Sequence, residues 1–173
     1  MNKNTKILVS VILILVLISA IAIMMNRDNA AAKKELNDNA VFILMDNGEE
    51  IASYNMTEIQ AIGETDFTAT LDTSTTDPED FQYTGVLMKS IFEHAGISLE
   101  GREAVIVSAV DGYTVAVPMD KFMADDNVYL AYKKEGELIG TREEGGKGPY
   151  QMIISKDQFS QFWCKYAISA DIQ

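Results

Sequence analysis

Nineteen consecutive residues, Ile7 to Met25, carry no charged side chain. As an α-helix rising 1.5 Å per residue the run spans roughly 28 Å, close to the hydrocarbon thickness of a bilayer. It shows no polar face, so it does not read as an amphipathic helix of a soluble core. Lys3, Lys6 and the terminal amine precede it, and positive charge on that flank keeps the N-terminus cytoplasmic. The expectation is one transmembrane helix within residues 1–25, single-pass in the cell membrane through residues 7–25, with the rest of the chain extracytoplasmic. A cleaved signal sequence is the competing reading, because Ala20-Ile21-Ala22 and Ala30-Ala31-Ala32 both fit a small-x-small cleavage pattern. The apolar run is longer than the usual core of a signal peptide, which favours a retained anchor. No Cys follows the run closely, so no lipid-modified N-terminal Cys is expected. Both readings export the domain.

That domain must be stable without an intrachain disulfide, because Cys164 is the single cysteine. About 130 residues bury enough core for this. His94 is the single histidine. A zinc finger, a Cys-ligated iron–sulfur cluster and a bis-His haem site are thereby excluded. A Ser-His-Asp or Cys-His enzyme would have to use His94 itself. The chain has 14 Lys and Arg against 26 Asp and Glu; residues 1–25 hold two of the basic residues and no acid, leaving 12 against 26. Such acidity argues against nucleic acid as a partner, since that binding rests on neutralising phosphates.

Residues 26–39 are polar and rich in Ala and Lys, and read as a linker; residues 40–173 form the domain. Val41–Met45 and Glu49–Tyr54 flank Asn47-Gly48, a hairpin signal. Asn55 and Glu58 stand at capping-box spacing for a short helix, with Gly63 as its C-terminal cap. Phe67 to Asp72 alternates as a strand does, and Thr73 to Phe81 reads as a polar loop. Val86 to Ala95 reads as a helix burying Leu87, Ile91 and Ala95 and closed by Gly96. Strands follow at Val105–Val110, Tyr113–Val117, Asn127–Lys133 and Tyr150–Ser155. A helical turn is expected within Asp157–Gln161 and a closing strand over Phe162–Ile172. Strands predominate, helices are few and short, and no regular βα alternation exists, so the class is α+β.

Chemistry alone gives no convincing catalytic constellation. Gly140 and Gly145 have the spacing of a phosphate loop, but Gly146 stands where its Lys belongs and a strand follows rather than a helix. The acids at Asp77, Glu79, Asp80 and at Asp125-Asp126 lack the spaced pattern of a calcium loop and read as solvated faces. His94 reads as a surface residue near a helix end. Cys164 alternates with Phe162, Tyr166 and Ile168 and reads as a core position.

From about Tyr54 onward the chain resembles the molybdopterin-binding oxidoreductase domain of the sulfite oxidase family. The resemblance is carried by six segments in order: Thr68–Leu71, Tyr83–Leu87 running into Ile91–Ile97, Ser108–Tyr113, Val128–Tyr132 with Gly136–Leu138, Gly148-Pro149-Tyr150, and Phe162–Lys165. It implies a sulfite-oxidase-like fold of mixed β-sheets with a few short helices, and molybdopterin as a cofactor to consider. The family fixes its metal through a Cys thiolate, and that position corresponds to Thr73 here, followed by Ser74 and Thr75. A hydroxyl is not a comparable soft ligand. Gln151 stands where an Arg is expected, and only Arg27, Arg102 and Arg142 exist to grip a phosphate.

The resemblance therefore implies a retained fold with an altered metal site, more in keeping with a non-catalytic small-molecule or pterin-binding module than with an enzyme. Two alternatives stay open: a structural or interaction subunit of a membrane redox or transport complex, and a molybdenum-dependent oxidoreductase with an unusual ligand. Carried over residue by residue, the ligand site is expected at Thr73, Ser74, Tyr83, Asp111, Tyr113 and Arg142.

Overall fold

The computed structural model describes residues 11–21 and 39–173. The chain divides into two compact units, Met1–Leu36 and Asn37–Gln173. In the first, residues 11–21 form a helix, α1, with every residue exposed. No helix among the described residues is long and apolar enough to cross a membrane. The expected span over residues 7–25 runs past them at both ends, and the expected linker lies outside them except for Asn39.

The second unit is built on two sheets. β1 (Val41–Asp46) and β2 (Glu49–Asn55) form the expected hairpin. Asn47 and Gly48 both take positive φ, 50° and 84°, as a tight type I′ turn requires. The first sheet runs β2-β1-β10-β5-β6, with β5 at Ala104–Ala109, β6 at Thr114–Pro118 and β10 at Ala167–Ile172. β1 and β10 are parallel and the other pairs antiparallel. The second sheet runs β3-β4-β7-β8, with β3 at Thr65–Thr73, β4 at Thr76–Leu87, β7 at Val128–Lys134 and β8 at Glu137–Leu138; β9 (Gln151–Ile154) pairs with β7. Three short helices, α2 (Met56–Gly63), α3 (Met88–His94) and α4 (Met119–Met123), and a 3-10 turn, η1 (Ser160–Phe162), complete the α+β unit.

Side-chain alternation sets which faces are buried. β5 turns Val105, Val107 and Ala109 inward and β6 turns Val115 and Val117 inward. Val128 to Tyr132 of β7 are all buried, the pattern of a strand covered on both faces. Beside β7, Phe67 stacks on Tyr129 at 3.8 Å between centroids, and Tyr83 meets Trp163 edge-on at 5.9 Å. The capping box of α2 is formed: Asn55 Oδ1 accepts from the Glu58 amide, and Glu58 Oε2 accepts from the Asn55 amide.

Four expectations are corrected. Thr76 to Phe81 is strand rather than loop, because β3 templates it from Thr76 onward; Pro78 is tolerated where β4 has β3 alone as its neighbour. Val86 and Leu87 end β4 rather than start a helix, so α3 begins at Met88 and buries Met88, Ile91 and Phe92. Gly85 permits this, since a Cβ there would lie 2.5 Å from the Leu130 carbonyl oxygen. The cap residue of α2 is Glu64, not Gly63. The closing strand starts only at Ala167: Tyr166 takes φ 57° and breaks the alternation. Cys164 is buried as expected, yet Phe162 and Ile168 are exposed. Gly96 does close α3, at φ 72°.

Candidate functional site

A cavity of about 790 Å³ opens in the second unit where the ends of several elements converge. The end of β3 supplies Asp72 and Thr73, and the turn that follows supplies Ser74. The β5–β6 turn supplies Asp111 and Tyr113. Lys147 comes from the glycine-rich loop and Gln151 from the start of β9. Phe159, Trp163, Lys165 and Tyr166 come from the segment around η1 and before β10. The volume lies in the range of small-molecule sites, and the lining has their usual composition of aromatic walls with a few polar groups.

Local geometry explains how each group arrives. Gly112, at φ 86°, closes the β5–β6 turn, and Asp111 Oδ1 accepts from the Tyr113 amide at 3.1 Å. The Tyr113 hydroxyl donates to the Gln161 carbonyl at 3.3 Å, which ties that turn to η1. Ser160 Oγ donates to the Asp72 carbonyl, tying η1 to β3. The loop Gly140–Gly148 is a folded surface connection that delivers Lys147. Gly146 packs on the Gly140 and Ile139 carbonyls, where a Cβ would meet oxygen at 2.3 Å. The Lys147 carbonyl accepts from the Tyr166 amide at 2.8 Å, and the Tyr166 carbonyl accepts from the Val110 amide at 3.1 Å. Tyr166 thus holds its left-handed conformation, a costly one for a bulky residue, at the point where the three cavity walls meet.

Two features of the lining point to a ligand. Gln151 is 2 % exposed, and among the described residues its carboxamide makes no side-chain hydrogen bond. A buried amide without a partner is costly and rare. Lys147, partly buried, and Lys165, at the mouth, have no ion-pair partner among the described residues. Burial lowers the Lys147 pKa, and the nearby charges of Lys165 and Lys134 lower it further. In a chain with an excess of 12 negative charges, two lysines that form no ion pair among the described residues line one cavity, together with Asp72 and Asp111.

Of the six expected site residues, Thr73, Ser74, Asp111 and Tyr113 line this cavity. Tyr83 does not. It is buried between Phe67 and Trp163, and burial, helped by the charge of Glu135, pushes its phenol up to about 12. Arg142 is exposed outside the lining, its guanidinium 5.7 Å from the Tyr166 ring. Sequence reasoning missed Lys147, Lys165 and Trp163 as cavity residues and noted Gln151 only as a missing Arg. The Gly-Gly-Lys-Gly run and the Trp-Cys-Lys run were the available signals, and neither says that the two lysines meet.

The donor set does not suit a molybdenum centre. The Thr73 hydroxyl is engaged in its own turn, 2.7 Å from Thr76 Oγ1 and 3.3 Å from Thr75 Oγ1. Cys164 is buried outside the lining, and burial with the charge of Asp111 pushes its thiol up to about 12, away from the thiolate a soft metal needs. No group of three His, Cys, Asp or Glu suited to a metal ion occurs among the described residues. The lining offers aromatic faces, the Gln151 amide as a polar edge, and charges of both signs, Lys147 and Lys165 with Asp72 and Asp111.

The sequence pattern of the oxidoreductase molybdopterin binding domain matches residues 41–156. No curated protein matches the sequence. Among solved structures, the sulfane dehydrogenase SoxCD from Paracoccus pantotrophus superposes with a TM-score of 0.63 at 16 % identity, covering 79 % of this chain and 38 % of that one. The chain spans less than half the length of that relative, and the likeness is one of fold.

Proposed function

This chain belongs to the family of oxidoreductase molybdopterin-binding domains and has its sulfite-oxidase-like fold, and from that premise we propose that it is a non-catalytic binding module whose cavity holds an anionic, planar small molecule such as a metal-free pterin. The observation that carries the reading is the buried carboxamide of Gln151, without a side-chain hydrogen bond among the described residues, in the lining of a cavity that also holds Lys147 and Lys165. A bound molecule satisfies the amide, and its anionic group pairs with lysines that make no direct ion pair among the described residues, although Asp72 and Asp111 share the cavity. Thr73 in place of a thiolate supports a role without metal chemistry.

The same reading assigns residues 1–25 as a membrane anchor, 26–39 as a tether and 40–173 as an extracytoplasmic binding domain. Its support is the uncharged run behind Lys3 and Lys6.

Mass spectrometry of small molecules released from the natively purified protein, with metal analysis of the same sample, tests the binding role. A stoichiometric organic anion without molybdenum or tungsten supports it. About one metal atom per chain, or a purified protein that takes up no such molecule, overturns it.

A further inference from the structure

Lys147 combines features that rarely coincide on a solvated lysine. It lines the cavity, it is partly buried, and it shares the cavity with a second cation, Lys165. Among the described residues its ammonium has neither an ion-pair nor a hydrogen-bond partner. Its backbone is fixed on both sides, by the Tyr166 amide bonded to the Lys147 carbonyl and by the Gly148 amide bonded to the Gly140 carbonyl. A desolvated amine beside another positive charge is the arrangement that turns lysine into a nucleophile.

We propose that Lys147 captures its ligand covalently and reversibly, as an imine, and that the ligand class is a planar aldehyde or ketone bearing an anionic group. This rests on the reading of the cavity as a small-molecule site and deepens it. The neutral Nζ attacks the carbonyl carbon; the C–N bond forms as the carbon–oxygen π pair moves to oxygen. A proton passes from nitrogen to that oxygen, giving a carbinolamine. The hydroxyl then leaves as water on protonation, and the nitrogen lone pair closes the C=N bond. One amine and one carbonyl give one imine and one water, with no change of oxidation state. Lys165, exposed in the lining, holds the anionic group. Asp72 and Asp111 are the carboxylates within the cavity that can relay the proton, and Gln151 hydrogen-bonds the ligand's polar edge. The other titratable groups facing Lys147 are the phenols of Tyr113 and Tyr166, and Lys134 adds its positive charge from β7.

The experiment uses pyridoxal 5′-phosphate as the probe, an aromatic aldehyde with an anionic group, and pyridoxal as its control without the phosphate. The full-length protein is incubated with each, reduced with borohydride and mapped by peptide mass spectrometry over its 11 lysines. At limiting probe, label on Lys147 is expected to exceed that on any other lysine by roughly tenfold, the advantage of an activated amine with the carbonyl held beside it. Lys165→Gln is expected to lower that label with both probes, and several-fold more with pyridoxal 5′-phosphate than with pyridoxal, because it removes both a charge that activates Lys147 and the charge that holds the phosphate. Lys147→Arg, with melting temperature and circular dichroism as the check on folding, should remove it. Label spread over exposed lysines, or Lys147 labelled no faster than Lys89 or Lys156, overturns the proposal. If it fails in that way while a pterin carboxylate still binds in the cavity, the covalent step falls and the binding role stands; if neither probe engages the cavity, both fall.

Discussion

Arg102 grips Asp46 with a two-pronged ion pair, Nη1 to Oδ1 at 2.7 Å and Nη2 to Oδ2 at 2.6 Å. It ties the end of β1 to the segment leading into β5, two strands separated in the sheet by β10. The paired hydrogen bonds from Arg102 hold the Asp46 carboxyl below its ordinary value of 3.8. Because the folded value is the lower one, the stabilisation is fully present above pH 3.8 and is lost as pH falls through the folded value. Acid titrations of Asp46→Asn and Arg102→Met should therefore unfold at higher pH than the parent, with the difference in stability vanishing at strongly acid pH. Coincident acid transitions would show the pair to be idle.

Gly85 is required by the close approach of β4 to β7. Gly85→Ala is expected to destabilise the unit by about 1–3 kcal/mol or more, since its Cβ would press on backbone atoms that cannot swing aside. Urea unfolding of the variant measures this; an unchanged midpoint would mean that the strands separate at no cost.

Tyr83 and Arg142, both expected at the ligand site, lie outside the cavity lining. Tyr83→Ala should cost about 3–5 kcal/mol of stability, as large-to-small changes in an aromatic core do. Arg142→Ala, on the surface, should change stability by no more than about 0.5 kcal/mol and leave ligand content as in the parent. Loss of bound molecule in a well-folded Arg142→Ala protein would return Arg142 to the site.

Much of the scaffold is legible from local signals. The Asn47-Gly48 turn and the Asn55–Glu58 box are short-range devices, and both are formed. Gly96 closes its helix where the Gly follows the apolar stripe. What stayed hidden depends on distant partners. The polar stretch from Thr76 carries no apolar alternation of its own and becomes strand because β3 pairs with it. The break at Tyr166 is enforced by bonds to Lys147 and Val110, 19 and 56 residues away. The site divides in the same way: Thr73, Ser74, Asp111 and Tyr113 are reached through the family resemblance of their segments, whereas Lys147 and Lys165 come to line one cavity only once the loop has docked against Tyr166.

Thr73 sits where the resemblance expects a metal thiolate, and its hydroxyl is occupied by the turn. Thr73→Cys is expected to bring neither stoichiometric molybdenum nor oxidoreductase activity, because the lining offers no further soft donor. Elemental analysis of parent and variant checks this. Metal in the parent that disappears in Thr73→Ala would contradict it.

Trp163 is the single tryptophan and lines the cavity, so its emission reports the site directly. The most direct measurement of the binding role is a titration of Trp163 fluorescence with pterin-6-carboxylate in the parent and in Gln151→Leu. Saturable quenching is predicted for the parent, with Kd raised about tenfold or more in the variant, equivalent to roughly 1.4 kcal/mol of lost hydrogen bonding. The ligand-free variant should melt no lower than the parent, since the change removes a buried amide that lacks a partner. Quenching that never saturates, or equal affinity in the two proteins, would contradict the assignment of this cavity as the ligand site.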